Sequence, residues 1–255
     1  MRIVLTGGGT GGHIYPAISV AQALREAAPD AELLFVGSSH GPEGRLAREA
    51  GIEFRSVPSS PLTRALSVRN AAPLARLVAG VLRARRILNQ FRSDVALGTG
   101  GYTSAAVLVA QRTRRGPIAI HEQNVVPGRT NLWLARIADR VCVSFEETLA
   151  YFPTPKAVLT GMPVRREFLS LPNCASARRE LGLRDDLFTV LVIGGSQGAR
   201  SLNELVLGAW PLLDDCATQV LHQAGERNVK ELQARAMPGR ERYALVGYVN
   251  TPAAM

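Results

Sequence analysis

Short apolar runs alternate along the chain with longer stretches whose apolar residues recur every three or four positions. That is the pattern of buried parallel strands joined by crossover helices. The runs predict strands over 2–6, 32–36, 94–98, 117–121, 140–144 and 157–160. Helical periodicity fills 16–28, 42–50, 73–91, 103–112 and 128–137, the first opened by Pro16, whose missing N–H suits a first turn. At Thr189 the opening repeats: Val190-Leu191-Val192-Ile193, a glycine loop Gly194-Gly195-Ser196-Gln197-Gly198, then a helix from Ser201. Strands at 189–193, 218–222 and 243–246, with helices at 201–213 and 226–236, carry this second part onward. The expected fold class is α/β with two doubly wound domains, 1–162 and 163–255, the second entered through a connector that contains Pro163 and Pro172. This second domain reads as incomplete, about 70 residues against a usual 100–150. Thr251-Pro252-Ala253-Ala254 reads as a helix start, so the chain is expected to stop while entering a helix.

Composition narrows the class. The 255 residues suffice for real cores, and no apolar run reaches the roughly 18 residues of a membrane span. The apolar start of four residues is shorter than a signal peptide's core. Cys142, Cys174 and Cys216 are odd in number and lack metal spacing, which reads as reduced thiols in a cytosolic protein. The net charge of +9 is carried almost wholly by arginine. No acid lies between Glu53 and Asp94, where Arg55, Arg64, Arg69, Arg76, Arg83, Arg85, Arg86 and Arg92 gather. Such a patch fits an anionic membrane or a phosphorylated substrate; without interleaved aromatics or a nucleic-acid motif, nucleic acid is not expected. In the helix 73–91, Leu74, Leu77, Val78, Val81, Leu82 and Leu88 share a face opposite Arg76, Arg83 and Arg86, and that face is expected to point at the core.

The chemistry concentrates at Gly7-Gly8-Gly9-Thr10-Gly11-Gly12-His13, between the first strand and the first helix. Glycines let backbone N–H groups approach an anion, and the helix N-terminus favours its charge. A phosphate cradle has no need of an imidazole, so His13 points to proton transfer near neutral pH. The loop also satisfies G-x-G-x-x-G, but the dinucleotide reading needs an acid at the end of the second strand, where Gly37-Ser38-Ser39-His40 stands. Around Ser196 the residues satisfy G-x-S-x-G, which keeps a hydrolase as a remote alternative beside the nucleotide-dependent oxidoreductase. His121-Glu122-Gln123-Asn124-Val125 begins like a zinc-protease helix, yet valine replaces the second histidine. No D-x-D metal pair occurs. Two glycine loops facing one cleft suggest a nucleotide-diphosphate donor and a second substrate. The leaving diphosphate would then be held by N–H groups, a helix dipole and arginine, with no metal and no cofactor.

Gly8-Gly9-Thr10-Gly11-Gly12-His13-Ile14-Tyr15-Pro16-Ala17 resembles the amino-terminal signature of the MurG family of bacterial glycosyltransferases. Leu97-Gly98-Thr99-Gly100-Gly101-Tyr102, His121-Glu122-Gln123-Asn124, Pro163-Val164-Arg165 and Gly194-Gly195-Ser196-Gln197-Gly198-Ala199 are similar to its later motifs, in the same order. The resemblance implies two Rossmann-like domains (GT-B). It further implies inverting, metal-independent transfer of N-acetylglucosamine from UDP-N-acetylglucosamine to the muramyl 4-hydroxyl of lipid I, giving lipid II. It places the protein peripherally on the cytoplasmic face of the bacterial membrane. By the same resemblance His13 is the base, with Glu122 a second catalytic group. Thr10, Gly11, Gly12, Tyr102, Asn124, Arg165, Ser196, Gln197 and Val249 bind substrate. Arg76, Arg83, Arg85 and Arg86 meet the membrane. Met162 stands where the family has asparagine, and the chain stops before the family's second donor segment. The alternative expectation is therefore a truncated fragment that binds membrane or lipid-linked acceptor without turnover.

Overall fold

The computed structural model describes residues 1–59, 71–153, 155–195, 198–213, 217–235 and 240–249. Arg64, Arg69, Ser196, Gln197, Cys216 and the 251–255 helix start lie outside them. Two compact units divide the chain, Met1–Arg166 and Glu167–Met255.

The first unit is built on a seven-stranded parallel sheet of order β3-β2-β1-β4-β5-β6-β7. Its strands are β1 (Arg2–Thr6), β2 (Glu32–Ser38), β3 (Glu53–Val57), β4 (Val95–Gly98), β5 (Ile118–Glu122), β6 (Arg140–Val143) and β7 (Ala157–Leu159). The helices are α1 (Gly11–Ala27), α2 (Glu43–Glu49), α3 (Ala71–Phe91), α4 (Tyr102–Thr113) and α5 (Arg129–Leu134). Side-chain alternation sorts each strand between two cores. Ile3, Leu5 and Phe35 pack with Ile14, Ala17 and Ile18 of α1 and Leu46 of α2. Val4, Leu34 and Val36 face Ala84, Ile87 and Leu88 of α3 and Val107 and Leu108 of α4. Both faces are covered, which is why the strands read as continuous apolar runs. The chain reverses its progress through the sheet between β1 and β4, the switch point beside which such folds bind ligands.

Three local expectations need correction. Helix α1 starts at Gly11 and not at Pro16, because the Thr10 carbonyl already accepts from the His13 and Ile14 N–H groups. His13 therefore lies inside the first turn, and Pro16 denies Gly12 a helical hydrogen-bond donor. Strand β3, missed because Glu53, Arg55 and Ser56 are polar, is an edge strand held by Phe54 against Phe35, ring centroids 6.3 Å apart. The stripe on α3 does not face the core as one surface. Ala84, Ile87 and Leu88 are buried, whereas Leu74, Val78 and Leu82 are 54–59% exposed.

The second unit contains α6 (Cys174–Glu180), β8 (Phe188–Ile193), α7 (Arg200–Leu213), β9 (Thr218–Gln223), α8 (Val229–Gln233) and β10 (Tyr243–Val246). Its sheet is parallel, of order β10-β9-β8. Helix α6 falls in the stretch read as connector; Asn173 caps it, its side-chain oxygen accepting from the Ser176 N–H at 2.9 Å. At the core, Trp210 meets Tyr243 edge-on at 5.1 Å. His222 is buried between the Tyr243 hydroxyl, 2.7 Å from Nδ1, and the Asn203 side-chain oxygen, 3.0 Å from Nε2.

Burial pushes the His222 imidazole below its ordinary value of 6.5 and the Tyr243 phenol up to about 12. Above the unfolded histidine value both states are neutral there, and this group's stability contribution is fully present. As pH falls below it, the unfolded chain takes up a proton that the folded chain refuses, and stability is lost down to the folded value. The urea midpoint of the second unit, followed by fluorescence of Trp210 in a Trp133→Phe background, is expected to fall on acidification from about pH 6.5 to 5, at no more than about 1.4 kcal/mol per pH unit from this group. His222→Gln should flatten that slope.

Candidate active site

The loops leaving β1 and β4 at the switch point interlock. The Thr99 N–H donates to the Thr6 carbonyl at 2.9 Å, and the Gly8 N–H reaches the Gly100 carbonyl at 3.4 Å. The Thr99 hydroxyl donates to the carbonyls of Thr6 and His13, and Ser104 Oγ donates to the Gly100 carbonyl at 2.7 Å. A side chain at Gly101, where φ is +82°, would place Cβ 2.2 Å from the Gly8 carbonyl oxygen. Only glycine closes the two loops this tightly. From α2, the wholly buried Glu43 accepts the Gly9 N–H on Oε1 at 3.1 Å, while its Oε2 has no partner among the described residues.

His13 stands where the loops meet and is partly exposed. Its Nδ1 lies 3.0 Å from the Thr99 carbonyl and 3.3 Å from Gln123 Oε1. Among the described residues Nε2 takes no hydrogen bond. Gly100, with φ +105°, leaves room for the ring, since a Cβ there would lie 2.8 Å from Nδ1.

Glu122 and its neighbours come from the end of β5. The expectation of Glu122 as a second catalytic group does not match its surroundings. It is 1% exposed, and both carboxylate oxygens are committed to its own loop. Oε1 accepts from the Asn124 N–H at 3.0 Å and Asn124 Nδ2 at 2.8 Å. Oε2 accepts from the Gly128 N–H at 3.0 Å and Asn131 Nδ2 at 2.9 Å. A carboxylate with four donors organises a turn and has no lone pair directed outward for proton transfer. His121, one residue earlier, is buried with Nε2 3.0 Å from the Gly161 carbonyl.

The remaining predicted residues divide between the units. Thr10 is the exposed N-cap residue of α1, and Gly11 and Gly12 are its first two residues. Tyr102 opens α4 beside Gly9. Asn124 is exposed on the Glu122 loop. The Arg165 guanidinium lies 4.6 Å over the Tyr15 ring, within the first unit. In the second unit the glycine loop follows β8, with Gly195 at φ +76° and its carbonyl accepting from Gln223 Nε2 at 2.8 Å. Val249 follows β10 and is partly buried. Arg76, Arg83, Arg85 and Arg86 are all exposed on α3. Beside them Leu77, Val78, Val81, Leu82, Val109 and Trp133 line an apolar hollow of about 290 Å³. Among the described residues no three His, Cys, Asp or Glu side chains gather as metal ligands, and no helix is long and apolar enough to cross a membrane.

Sequence reasoning missed Glu43, Thr99 and Gln123 as parts of this site. Glu43 falls within the helix expected over 42–50, and nothing local reveals that its carboxylate reaches Gly9. Gln123 and Thr99 were visible only as members of motifs.

Residues 3–143 match the glycosyltransferase family 28 N-terminal domain, and residues 189–255 match the family 28 C-terminal domain. The UDP-N-acetylglucosamine–N-acetylmuramyl-(pentapeptide) pyrophosphoryl-undecaprenol N-acetylglucosamine transferase of Leuconostoc citreum is 38% identical over 98% of this chain and 69% of its own length. The protein of the same name from Desulforudis audaxviator is 43% identical over 81% of this chain and 56% of its own. The chain thus spans between about half and two thirds of the length of such relatives. The crystal structure of Acinetobacter baumannii MurG superposes with a TM-score of 0.67 at 28% identity, covering 99% of this chain and 69% of that one. A Staphylococcus aureus MnaA–UDP structure shares the fold at 13% identity with a TM-score of 0.66. With both domain models matched in order and relatives this similar, the chain belongs to glycosyltransferase family 28, and within it to the MurG family.

Proposed function

We propose that the protein containing this chain transfers N-acetylglucosamine from UDP-N-acetylglucosamine to the muramyl 4-hydroxyl of lipid I. The observation that carries this reading is His13. A titratable ring stands at the junction of two glycine loops with Nε2 open, in a chain whose relatives are named for this transfer. In the reaction the acceptor oxygen bonds to the anomeric carbon as the bond to the UDP oxygen breaks, with inversion. UDP leaves with the electron pair, and His13 Nε2 takes the hydroxyl proton. The Gly9–Gly12 loop and the start of α1 are oriented to hold the acceptor diphosphate. In this reading Tyr102, beside Gly9, is a further substrate-binding residue, and Asn124 contacts the donor sugar. Arg165, Val249 and the Ser196-Gln197 loop are the donor-side residues in this reading. The test is incubation of the full protein with labelled UDP-N-acetylglucosamine and a soluble lipid I analogue. One UDP released per sugar transferred is the expected result, and donor hydrolysis without transfer would overturn it.

The reading includes a peripheral position on the cytoplasmic face of the membrane. Its support is the exposed Leu74, Val78 and Leu82 beside exposed arginines on one helix. Each arginine near an anionic surface contributes about 1 kcal/mol. Replacing Arg83, Arg85 and Arg86 together by glutamine should therefore weaken binding to phosphatidylglycerol vesicles about 100-fold at low salt, and less at moderate salt. Unchanged sedimentation with vesicles would remove α3 from the docking surface.

A further inference from the structure

We infer that Gln123, itself oriented by His121, is a positioning residue that fixes the tautomer of His13 with the proton on Nδ1, leaving Nε2 as the basic nitrogen. The inference rests on the reading of His13 as the base, but its geometry can be followed from either end.

At the far end is the Gly161 carbonyl. A carbonyl can only accept, so His121 Nε2, 3.0 Å away, carries the proton. Burial pushes this imidazole below its ordinary value, against the smaller opposing effects of the Gly161 carbonyl and the Glu122 carboxylate. The ring is therefore neutral near pH 7, and its Nδ1 presents a lone pair. Gln123 Nε2 donates to that lone pair at 3.0 Å. The same amide nitrogen also lies 3.1 Å from the backbone carbonyl of His121, a second group that can only accept. Two acceptors on one side of the amide leave a single orientation for it. The opposite assignment would set Oε1 against a carbonyl oxygen and a lone pair. Gln123 Oε1 must then face His13 Nδ1, as it does at 3.3 Å.

At the near end the Thr99 carbonyl, 3.0 Å from Nδ1, makes the same demand. Nδ1 faces two acceptors and must be the N–H nitrogen. The consequence is not the one an isolated imidazole would choose, because a free neutral ring favours the proton on Nε2. In that form the open nitrogen would be a donor and could not receive a proton from a substrate hydroxyl. Two residues of the His121-Glu122-Gln123-Asn124 motif thus act on the chemistry through His13, without needing to touch the acceptor. Such hydrogen bonding to the second ring nitrogen is a general means of setting which nitrogen reacts.

The experiment is long-range proton–nitrogen correlation NMR on the full protein labelled with ¹⁵N-histidine, at a pH where the rings are neutral. This chain contributes four histidines. His13 is expected to show a protonated-type Nδ1 and an unprotonated-type Nε2, assigned by loss of the signals in His13→Gln. His121 is expected to show the reverse. In Gln123→Met, His13 should shift toward the Nε2–H form, and kcat should fall about tenfold with KM for either substrate within twofold. An Nε2–H form of His13 in the wild type, an Nδ1–H form of His121, or an unchanged His13 spectrum in Gln123→Met would each overturn the inference. Failure of the catalytic reading would look different: the predicted tautomers would be present, and His13→Ala would keep its activity.

Discussion

Replacing His13 by alanine is expected to lower kcat for sugar transfer by about 10²–10⁴-fold, the range for losing a general base. The fold should survive the change. His13 is partly exposed in the first turn of α1, and its ring bonds only the Thr99 carbonyl and Gln123 among the described residues. Thr99 is buried and Gln123 partly exposed, but water entering the space left by the partly exposed ring can bond both, so the stability cost should stay within about 1 kcal/mol. The Thr99 hydroxyl bonds the His13 backbone carbonyl and is untouched by the substitution, so the loop junction keeps its closure. The measurement is UDP release under saturating donor and acceptor analogue, with the urea midpoint as the folding control. A variant that keeps more than a tenth of wild-type kcat would remove His13 from the role of base.

How far the site could be read in advance follows from how its parts are encoded. The strands of the first sheet were legible because burial on both faces forces apolar runs such as Ile3-Val4-Leu5 and Leu33-Leu34-Phe35-Val36. The glycine loops were legible because Gly101 and Gly100 answer local backbone demands, and no other residue meets them without strain. Strand β3 was not, since an edge strand needs little to hold it: here Phe54 packs against one core and Val57 enters the other, and the residues around them are polar. The start of α1 was also hidden. Proline is favoured at the first helical position, but here the Thr10 carbonyl nucleates the helix five residues earlier. Glu43 and Glu122 were obscured for a different reason. A carboxylate's partners depend on which distant N–H groups the fold delivers, and Gly9 reaches Glu43 across 34 residues of chain. On α3 periodicity gave the face correctly but not what covers it, because a core stripe and an exposed apolar stripe share one sequence pattern.

Glu122→Leu is expected to cost about 3–5 kcal/mol, the largest stability loss of any single substitution at this site. Leucine approximates the volume but accepts nothing. The Asn124 and Gly128 N–H groups and the Asn131 amide would lose their acceptor together. Asn131 is 2% exposed and its Oδ1 already lacks a partner among the described residues, so its amide has little prospect of finding water. Glu122→Gln keeps one acceptor oxygen but turns an NH₂ toward groups that donate, and should cost about 2–3 kcal/mol. The urea midpoint reads both changes, and limited proteolysis between 123 and 131 should locate the opening. Activity separates the structural role from a chemical one. If Glu122 only holds the turn, Glu122→Gln measured below its unfolding midpoint should lose far less kcat than His13→Ala, because the imidazole is still present. A kcat loss equal to that of His13→Ala, with the fold intact, would return Glu122 to the chemistry. The turn it closes carries Gln123 and Asn124 toward the glycine loops, so even the structural role leaves a catalytic trace. The sequence order His121, Glu122, Gln123, Asn124 thus places an anchor for the turn immediately before the residue that faces His13.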